Sequence, residues 1–382
     1  MTPRPLAILG STGSIGRNAL EVVAALPGRF EVVGLAAGDN IELLAEQIAA
    51  VHPRVAAVRT PEAAAALRQR LGRQHRPEIV CGPEGLLAVA TGSGARLLLA
   101  ATVGVAAIPA IAAALAAGCD CALANKEALV VAGEWLLTAA KTSGAALLPV
   151  DSEHSAIHQC LRAGQAREVE RLVVTASGGP FLRCTAAELA RVTPEAALRH
   201  PTWKMGPRIT VDSATLMNKG FEVIEACHFF GLGVERVEVV IHPQSVVHSM
   251  VEFVDGSVVA QLGTPDMRTA IQYALTHPDR VPAPSDRMRL KLQEVGKLEF
   301  ERPDLERFPC LRLAGEAWQA GGGAPAVLNA ADEVAVGRFL AGEIGFGDIP
   351  ALVAGALERW GAPRMGSLAE LLELDRAVRQ SL

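Results

Sequence analysis

Over its first third the chain alternates short apolar runs with stretches of helical spacing. PLAILG leads to a helix from about Ile15 to Leu26, FEVVGLAAG to a helix from about Ile41 to Val51, and VAAV to an alanine-rich helix, with EIV and RLLLAATVG completing the series. Strands alternating with helices imply a parallel sheet covered on both faces, because a parallel connection needs a crossover long enough to be helical. The expected class is α/β, with an N-terminal doubly wound, Rossmann-like domain over residues 1–150.

Beyond residue 150 the texture changes. RLVVTASGGPF, RITVDSATLMNKG, VERVEVVIHP and SVVHSMVEFVDGSVVAQLG read as strand-like runs divided by turn signals. They predict a central α+β domain over residues 151–290. The chain is rich in proline and charge from residue 282 to 310, which predicts a linker at 291–310. Helical periodicity with glycine stops then returns in LRLAGEAWQA, AVLNAADEVAVGRFLAG, IPALVAGALERWG and SLAELLELDRAVRQSL. A C-terminal helical bundle over residues 311–382 follows.

Composition narrows the function. With 382 residues, 50% of them hydrophobic, the chain can build more than one core. A formal net charge of -5 offers no basic surface for nucleic acid. The seven cysteines, at 81, 119, 121, 160, 184, 227 and 310, contain no C-x-x-C pair, so a reduced, cytoplasmic protein is expected. MTPRPLAILG leaves too little before the first strand for an export leader. The uncharged stretch from Leu97 to Cys119 has the length of a membrane span, yet Gly104 and Pro109 divide it into a buried strand, a turn and a helix. No membrane partner is expected.

Candidate chemistry begins in ILGSTGSIGRNALEVV. Gly10, Gly13 and Gly16 lie between a strand and a helix, where backbone N–H groups and the helix dipole receive a phosphate. Their G-x-x-G-x-x-G spacing departs from the usual dinucleotide fingerprint, and an ordinary tight turn is the alternative. The second strand ends in Ala36, Ala37 and Gly38, small residues that leave room for a 2′-phosphate. NADPH is favoured on that ground, while the negative charge of Asp39 argues the other way.

ALANKEAL puts Asn125, Lys126 and Glu127 at a strand's carboxyl end, the edge where open α/β sheets bind ligands; a solvated pair at a helix start is the alternative. VDSEHSA places Asp151 and Glu153 at i and i+2. On extended backbone they share a face and repel: either a hard divalent cation such as Mg2+ or Mn2+ sits between them, or they flank solvent as surface ion-pairing groups. Glu222 and Glu225, one helical turn apart in NKGFEVIEACHFFG, supply a further carboxylate. Ser177, Ser213, Asn218 and Lys219 suit a phosphate ester, offering several donors and one compensating charge, while a serine in a glycine turn taken singly is an ordinary turn residue. RHPTWKMGPR, with His200, Trp203 and Met205, reads as an aromatic lid or as core packing.

Taken together, GSTGSIG, ANKE, VDSEHSA, SGGPF, HPTWKMG, VDSATLMNKGFEVIEA, HPQSVVHSMVEF, AQLGTPDMRTAIQYAL and NAADEVAV resemble the 1-deoxy-D-xylulose 5-phosphate reductoisomerase family nearly end to end. The resemblance implies an NADPH- and metal-dependent oxidoreductase of non-mevalonate isoprenoid biosynthesis. The ketose would rearrange by an α-ketol shift or by retro-aldol cleavage and rejoining. Reduction of the resulting aldehyde would give 2-C-methyl-D-erythritol 4-phosphate.

By the same resemblance Asp151, Glu153 and Glu222 would chelate the cation. Thr12, Gly13, Ser14 and Ile15 would hold the cofactor phosphates, Gly38 and Asn40 would lie by the adenosine ribose, Asn125 and Glu127 would reach the nicotinamide side, and Gly206 would also touch the cofactor. Lys126 and Ser152 are expected at the substrate, with Ser177, His200, Ser213, Asn218 and Lys219 around its phosphate. Trp203 and Met205 match a lid over it, and a homodimer is expected. Asp39 departs from a position where family members carry a basic or neutral residue, and His242 and His248 either support the site or pack. The rival readings are another NAD(P)-dependent sugar-phosphate dehydrogenase and a non-catalytic NADPH sensor.

Overall fold

The computed structural model of the chain describes residues 2–72, 77–199, 203 and 206–382. It divides into two compact units. One comprises Met1–Ala128, Glu134–Ser155 and Asp266–Met288; the other comprises Leu129–Gly133, Ala156–Pro265 and Arg289–Leu382.

The first unit opens with β1 (Arg4–Leu9), α1 (Ser14–Ala24), β2 (Phe30–Ala36), α2 (Ile41–Val51), β3 (Val55–Val58), α3 (Pro61–Leu71), β4 (Glu78–Cys81) and α4 (Gly82–Leu87). It continues with β5 (Leu97–Ala100), α5 (Ile108–Ala116), β6 (Asp120–Leu123), α6 (Lys126–Ser143), β7 (Leu147–Pro149) and the start of α7 (Ser152–Cys160). The strands form one seven-stranded parallel sheet in the order β4-β3-β2-β1-β5-β6-β7. All seven carboxyl ends therefore share one edge, and the strand order reverses between β1 and β5. Leu6, Ile8, Leu35, Leu97 and Leu99 are fully buried in its core, the near-continuous apolar pattern of a sheet covered on both faces.

In the second unit, β8 (Val169–Ala176) precedes the short helices α8 (Ala186–Leu189) and α9 (Pro194–Ala197), then α10 (Pro207–Thr215) and α11 (Met217–Phe230). β9 (Val237–Ile241) pairs parallel with β8, while β10 (Val247–Phe253) and β11 (Val258–Leu262) add antiparallel, giving a four-stranded sheet ordered β11-β10-β8-β9. The chain next forms α12 (Met267–Thr276), which packs on α1 in the first unit, and the short α13 (Leu292–Val295). Four helices close it: α14 (Cys310–Ala320), α15 (Ala324–Leu340), α16 (Asp348–Trp360) and α17 (Leu368–Ser381). Ala335, Val336, Phe339 and Ile349 share one buried cluster with Leu172 and Val174 of β8. These C-terminal helices bury their apolar faces in the same core as the sheet.

Two expectations are corrected. RITVDSATLMNKG is not strand-like: Gly206 and Pro207 open α10, the left-handed Leu216 (φ 61°) ends it, and α11 begins at once. Its β-branched residues suggested a strand, but a proline at the first helical turn presets the helical φ. Nor do Asp151 and Glu153 share an extended strand. β7 stops at Pro149 and Glu153 lies in the first turn of α7, where a carboxylate meets the positive end of the helix.

Candidate active site

The glycine loop has the geometry its sequence predicts. β1 ends at Leu9, Gly13 caps α1, and Ser14 begins the helix. Gly10 takes φ 85°, and a Cβ there would lie 2.3 Å from the Ala101 oxygen; a Cβ on Gly16 would lie 2.3 Å from the Gly10 oxygen. Both must be glycine for the loop to close this tightly. Thr12 and Ile15 are half-buried, and Gly13 and Ser14 are exposed at the helix N-terminus. Gln47, which the sequence reading missed, donates its amide to the buried Ser11 carbonyl at 2.8 Å and so fixes the loop from α2. Its signal was a polar residue on a buried face shared with Ile41, Leu44 and Ile48.

Asn125 follows β6 and caps α6. Its Oδ1 accepts from Ala128 N at 2.7 Å, while Nδ2 donates to the Thr102 and Gly104 carbonyls at 2.8 and 2.9 Å. This pattern of one donor and two acceptors fixes which way the amide points. Glu127 accepts from Gly104 N at 3.0 Å. Both residues thus hold the 102–104 loop that follows β5. Asn40 caps α2 through Leu43 N at 3.1 Å, beside Gly38.

Lys126 forms an ion pair with Asp151, both side chains less than one-fifth exposed, and Ser152 Oγ donates to Glu153 Oε2 at 2.8 Å. His154, fully buried, places Nδ1 3.9 Å from Asp151 Oδ2. In this unit Asp151 and Glu153 are two partly buried carboxylates two positions apart, and hard divalent cations take such oxygen donors. The residues present fit that ion.

In the second unit, Ser177 follows β8 in a turn of two left-handed glycines and accepts from Gly179 N at 3.3 Å. A Cβ on Gly179 would lie 2.6 Å from the Ser213 oxygen, so this turn seats directly against the end of α10. Asn218 Nδ2 donates to Glu222 Oε1 at 2.7 Å, and Lys219 pairs with the same buried carboxylate. Glu225 is buried one turn further along α11. Trp203 is half-buried and Gly206 is exposed at the start of α10, whereas His200 and Met205 lie outside the described residues. His242 is committed to the backbone: Nε2 accepts from the N–H groups of Val246 and Val247, so Nδ1 carries the proton that it donates to the Glu299 carbonyl at 2.9 Å. It also stacks on Phe300, with ring centroids 4.8 Å apart. His248 places Nε2 3.4 Å from the Thr264 carbonyl.

Comparison with known proteins matches the same stretches. The model of 1-deoxy-D-xylulose 5-phosphate reductoisomerase matches residues 6–133, and those of two C-terminal domains of that enzyme match 147–230 and 262–381. The chain belongs to the 1-deoxy-D-xylulose 5-phosphate reductoisomerase family. The family's curated members include the enzyme of Moorella thermoacetica, 52% identical over 99% of this chain and 97% of the relative. Another, from Chlorobium phaeobacteroides strain BS1, is 50% identical over 99% and 98%. Among solved members, the Zymomonas mobilis enzyme in complex with NADPH aligns with a TM-score of 0.92 at 41% identity, over 99% of this chain and 98% of that one. A reductoisomerase in complex with NADPH, fosmidomycin and magnesium aligns with a TM-score of 0.93 at 40% identity, over 99% and 97%. Among the described residues no helix is long and apolar enough to cross a membrane.

Proposed function

We propose that this chain converts 1-deoxy-D-xylulose 5-phosphate into 2-C-methyl-D-erythritol 4-phosphate, with NADPH and a divalent cation, as a step of non-mevalonate isoprenoid biosynthesis. The observation that supports it best is the order of groups along one sheet edge. The glycine loop follows β1, the 102–104 loop follows β5, Asn125-Lys126-Glu127 follows β6, and Asp151-Ser152-Glu153 follows β7. A phosphate cradle, a lysine and a carboxylate pair thus stand in spatial sequence at the carboxyl ends of adjacent strands, as a cofactor and a metal-bound substrate require.

Asp151, Glu153 and Glu222 would hold Mg2+ or Mn2+, which would polarise the substrate carbonyl, and bound NADPH would supply the hydride. Thr12, Gly13, Ser14 and Ile15 receive the cofactor phosphates, with Gly38 and Asn40 at the adenosine ribose and Gly206 touching the same cofactor. Asn125 and Glu127 shape the nicotinamide side through the loop they hold. Lys126 balances the charge of Asp151, and Ser152 orients Glu153 while meeting the substrate. Ser177, His200, Ser213, Asn218 and Lys219 bind the phosphate end, over which Trp203 and Met205 close to exclude water. The chain works as a cytoplasmic homodimer.

Purified protein, 1-deoxy-D-xylulose 5-phosphate and Mg2+ or Mn2+ should together oxidise NADPH, with the loss of absorbance abolished by chelator and restored by metal. Product analysis should find a rearranged, branched carbon chain. Reduction without rearrangement would assign the chain to simple dehydrogenases, and NADPH binding without any oxidation would overturn the reading altogether.

A further inference from the structure

We infer that Arg59 is the residue that selects NADPH over NADH in this chain, by binding the 2′-phosphate of the adenosine ribose in partnership with Asp39. The inference rests on the dinucleotide reading of the glycine loop and names a specificity residue for it.

The register of the sheet brings the two residues together. β2 and β3 pair in parallel with Ala36 opposite Ala57, and Ala37 N continues the ladder to the Ala57 carbonyl at 2.9 Å. Gly38 and Asp39 therefore leave the sheet beside Arg59, which leaves β3 at the same carboxyl edge. A Cβ on Gly38 would lie 3.1 Å from Arg59 Nη2, so the guanidinium lies close over the glycine and would have to move by a few tenths of an ångström to admit a side chain there. Asp39 Oδ2 meets the same Nη2 at 3.1 Å.

Stability does not account for this arrangement. Both side chains are about two-thirds exposed, at 67% and 68%, and ion pairs so exposed contribute little to folding. Position does account for it. The end of the second strand of a dinucleotide-binding sheet is where the adenosine ribose is read: an acidic residue there accepts from a 2′-hydroxyl, and an arginine nearby accommodates a 2′-phosphate. This chain carries both. Asp39 alone would repel a dianionic phosphate and favour NADH; Arg59 neutralises it and adds a planar fork of five N–H donors, more than one carboxylate can engage. Asp39 then serves to aim the guanidinium, and the unfavourable charge seen in the sequence becomes half of a phosphate site.

The test uses the full chain without substrate, so it is independent of turnover. Binding of 2′,5′-ADP and of 5′-AMP is measured for the native protein and for Arg59→Leu and Arg59→Lys. Arg59→Leu should weaken 2′,5′-ADP about tenfold, the effect of a charge-assisted contact discounted for exposure, with 5′-AMP moving less than about twofold. Arg59→Lys, which keeps the charge but loses the fork, should fall between. The native preference for 2′,5′-ADP should also narrow as salt is raised. In turnover, NADPH-over-NADH preference in kcat/KM should drop by the same factor in Arg59→Leu. Unchanged 2′,5′-ADP binding, or equal losses for both nucleotides, would overturn the assignment. Should the protein bind 2′,5′-ADP through Arg59 yet fail to act on 1-deoxy-D-xylulose 5-phosphate, the proposed reaction falls and the inference stands.

Discussion

Asn125→Asp separates holding the 102–104 loop from merely capping a helix. The replacement has nearly the same shape, and its carboxylate can still accept from Ala128 N, the bond measured at 2.7 Å. What changes is the other end. An oxygen replaces Nδ2, which donates to the Thr102 and Gly104 carbonyls at 2.8 and 2.9 Å, at a residue only 1% exposed. Two bonds of about 1 kcal/mol net are lost, and confronting buried oxygens without a donor costs roughly 1–3 kcal/mol more. The sum, about 3–5 kcal/mol, is a large part of the 5–15 kcal/mol that usually holds a protein folded. Urea unfolding of the full chain should shift to lower denaturant by about 1 M at most, since the slope of a 382-residue chain lies above the roughly 1–3 kcal/mol per molar of small proteins.

NADPH binding, followed by its fluorescence, should weaken about tenfold as the loop after β5 loosens. The variant also carries an internal check on pH. Burial and two facing carbonyls raise the carboxyl pKa in the folded state, so the folded protein binds the extra proton. Its stability should recover partly as pH falls towards about 5, when the carboxyl can again donate. Unchanged unfolding and unchanged NADPH binding at neutral pH would show that the loop is held by something other than this amide.

Glu222→Gln removes a proposed cation ligand while leaving an oxygen for the Asn218 amide, and saturating turnover should fall about 10²–10³-fold with NADPH binding retained. Turnover within tenfold of native at saturating Mg2+ would remove Glu222 from the metal site. Asp332, fully buried near Arg208, has its pKa pushed by burial from 3.8 up to about 6. Between those values the folded state binds more protons than the unfolded, so this carboxyl favours folding less and less as pH rises through the window. Asp332→Asn should therefore stabilise the chain at pH 8 by on the order of 1 kcal/mol, and less at pH 5; a pH-independent difference in melting temperature would refute that origin.

Local patterns in the sequence settled which segments become which elements wherever one rule dominated. The apolar runs of the first unit alternate with capped helices, and the glycine spacing after β1 admits one compact strand-to-helix loop. Residues 207–230 show where local preference fails. Ile209, Thr210 and Val211 favour a strand, but Pro207 and burial against the rest of the second unit make them helical. The site was legible as residue types: carboxylates, lysines, serines and glycines at telling positions. Their partners were not, because a side chain's role depends on what the fold brings beside it. Nothing in ANKE says that Asn125 spends its amide on the loop after the preceding strand, and nothing near Gly38 says that Arg59 stands over it. The sequence determined the chemistry available and the sheet's alternating plan, since these follow from local periodicity. Only the tertiary structure decided which groups meet, because parallel pairing joins residues twenty or more positions apart at a single edge.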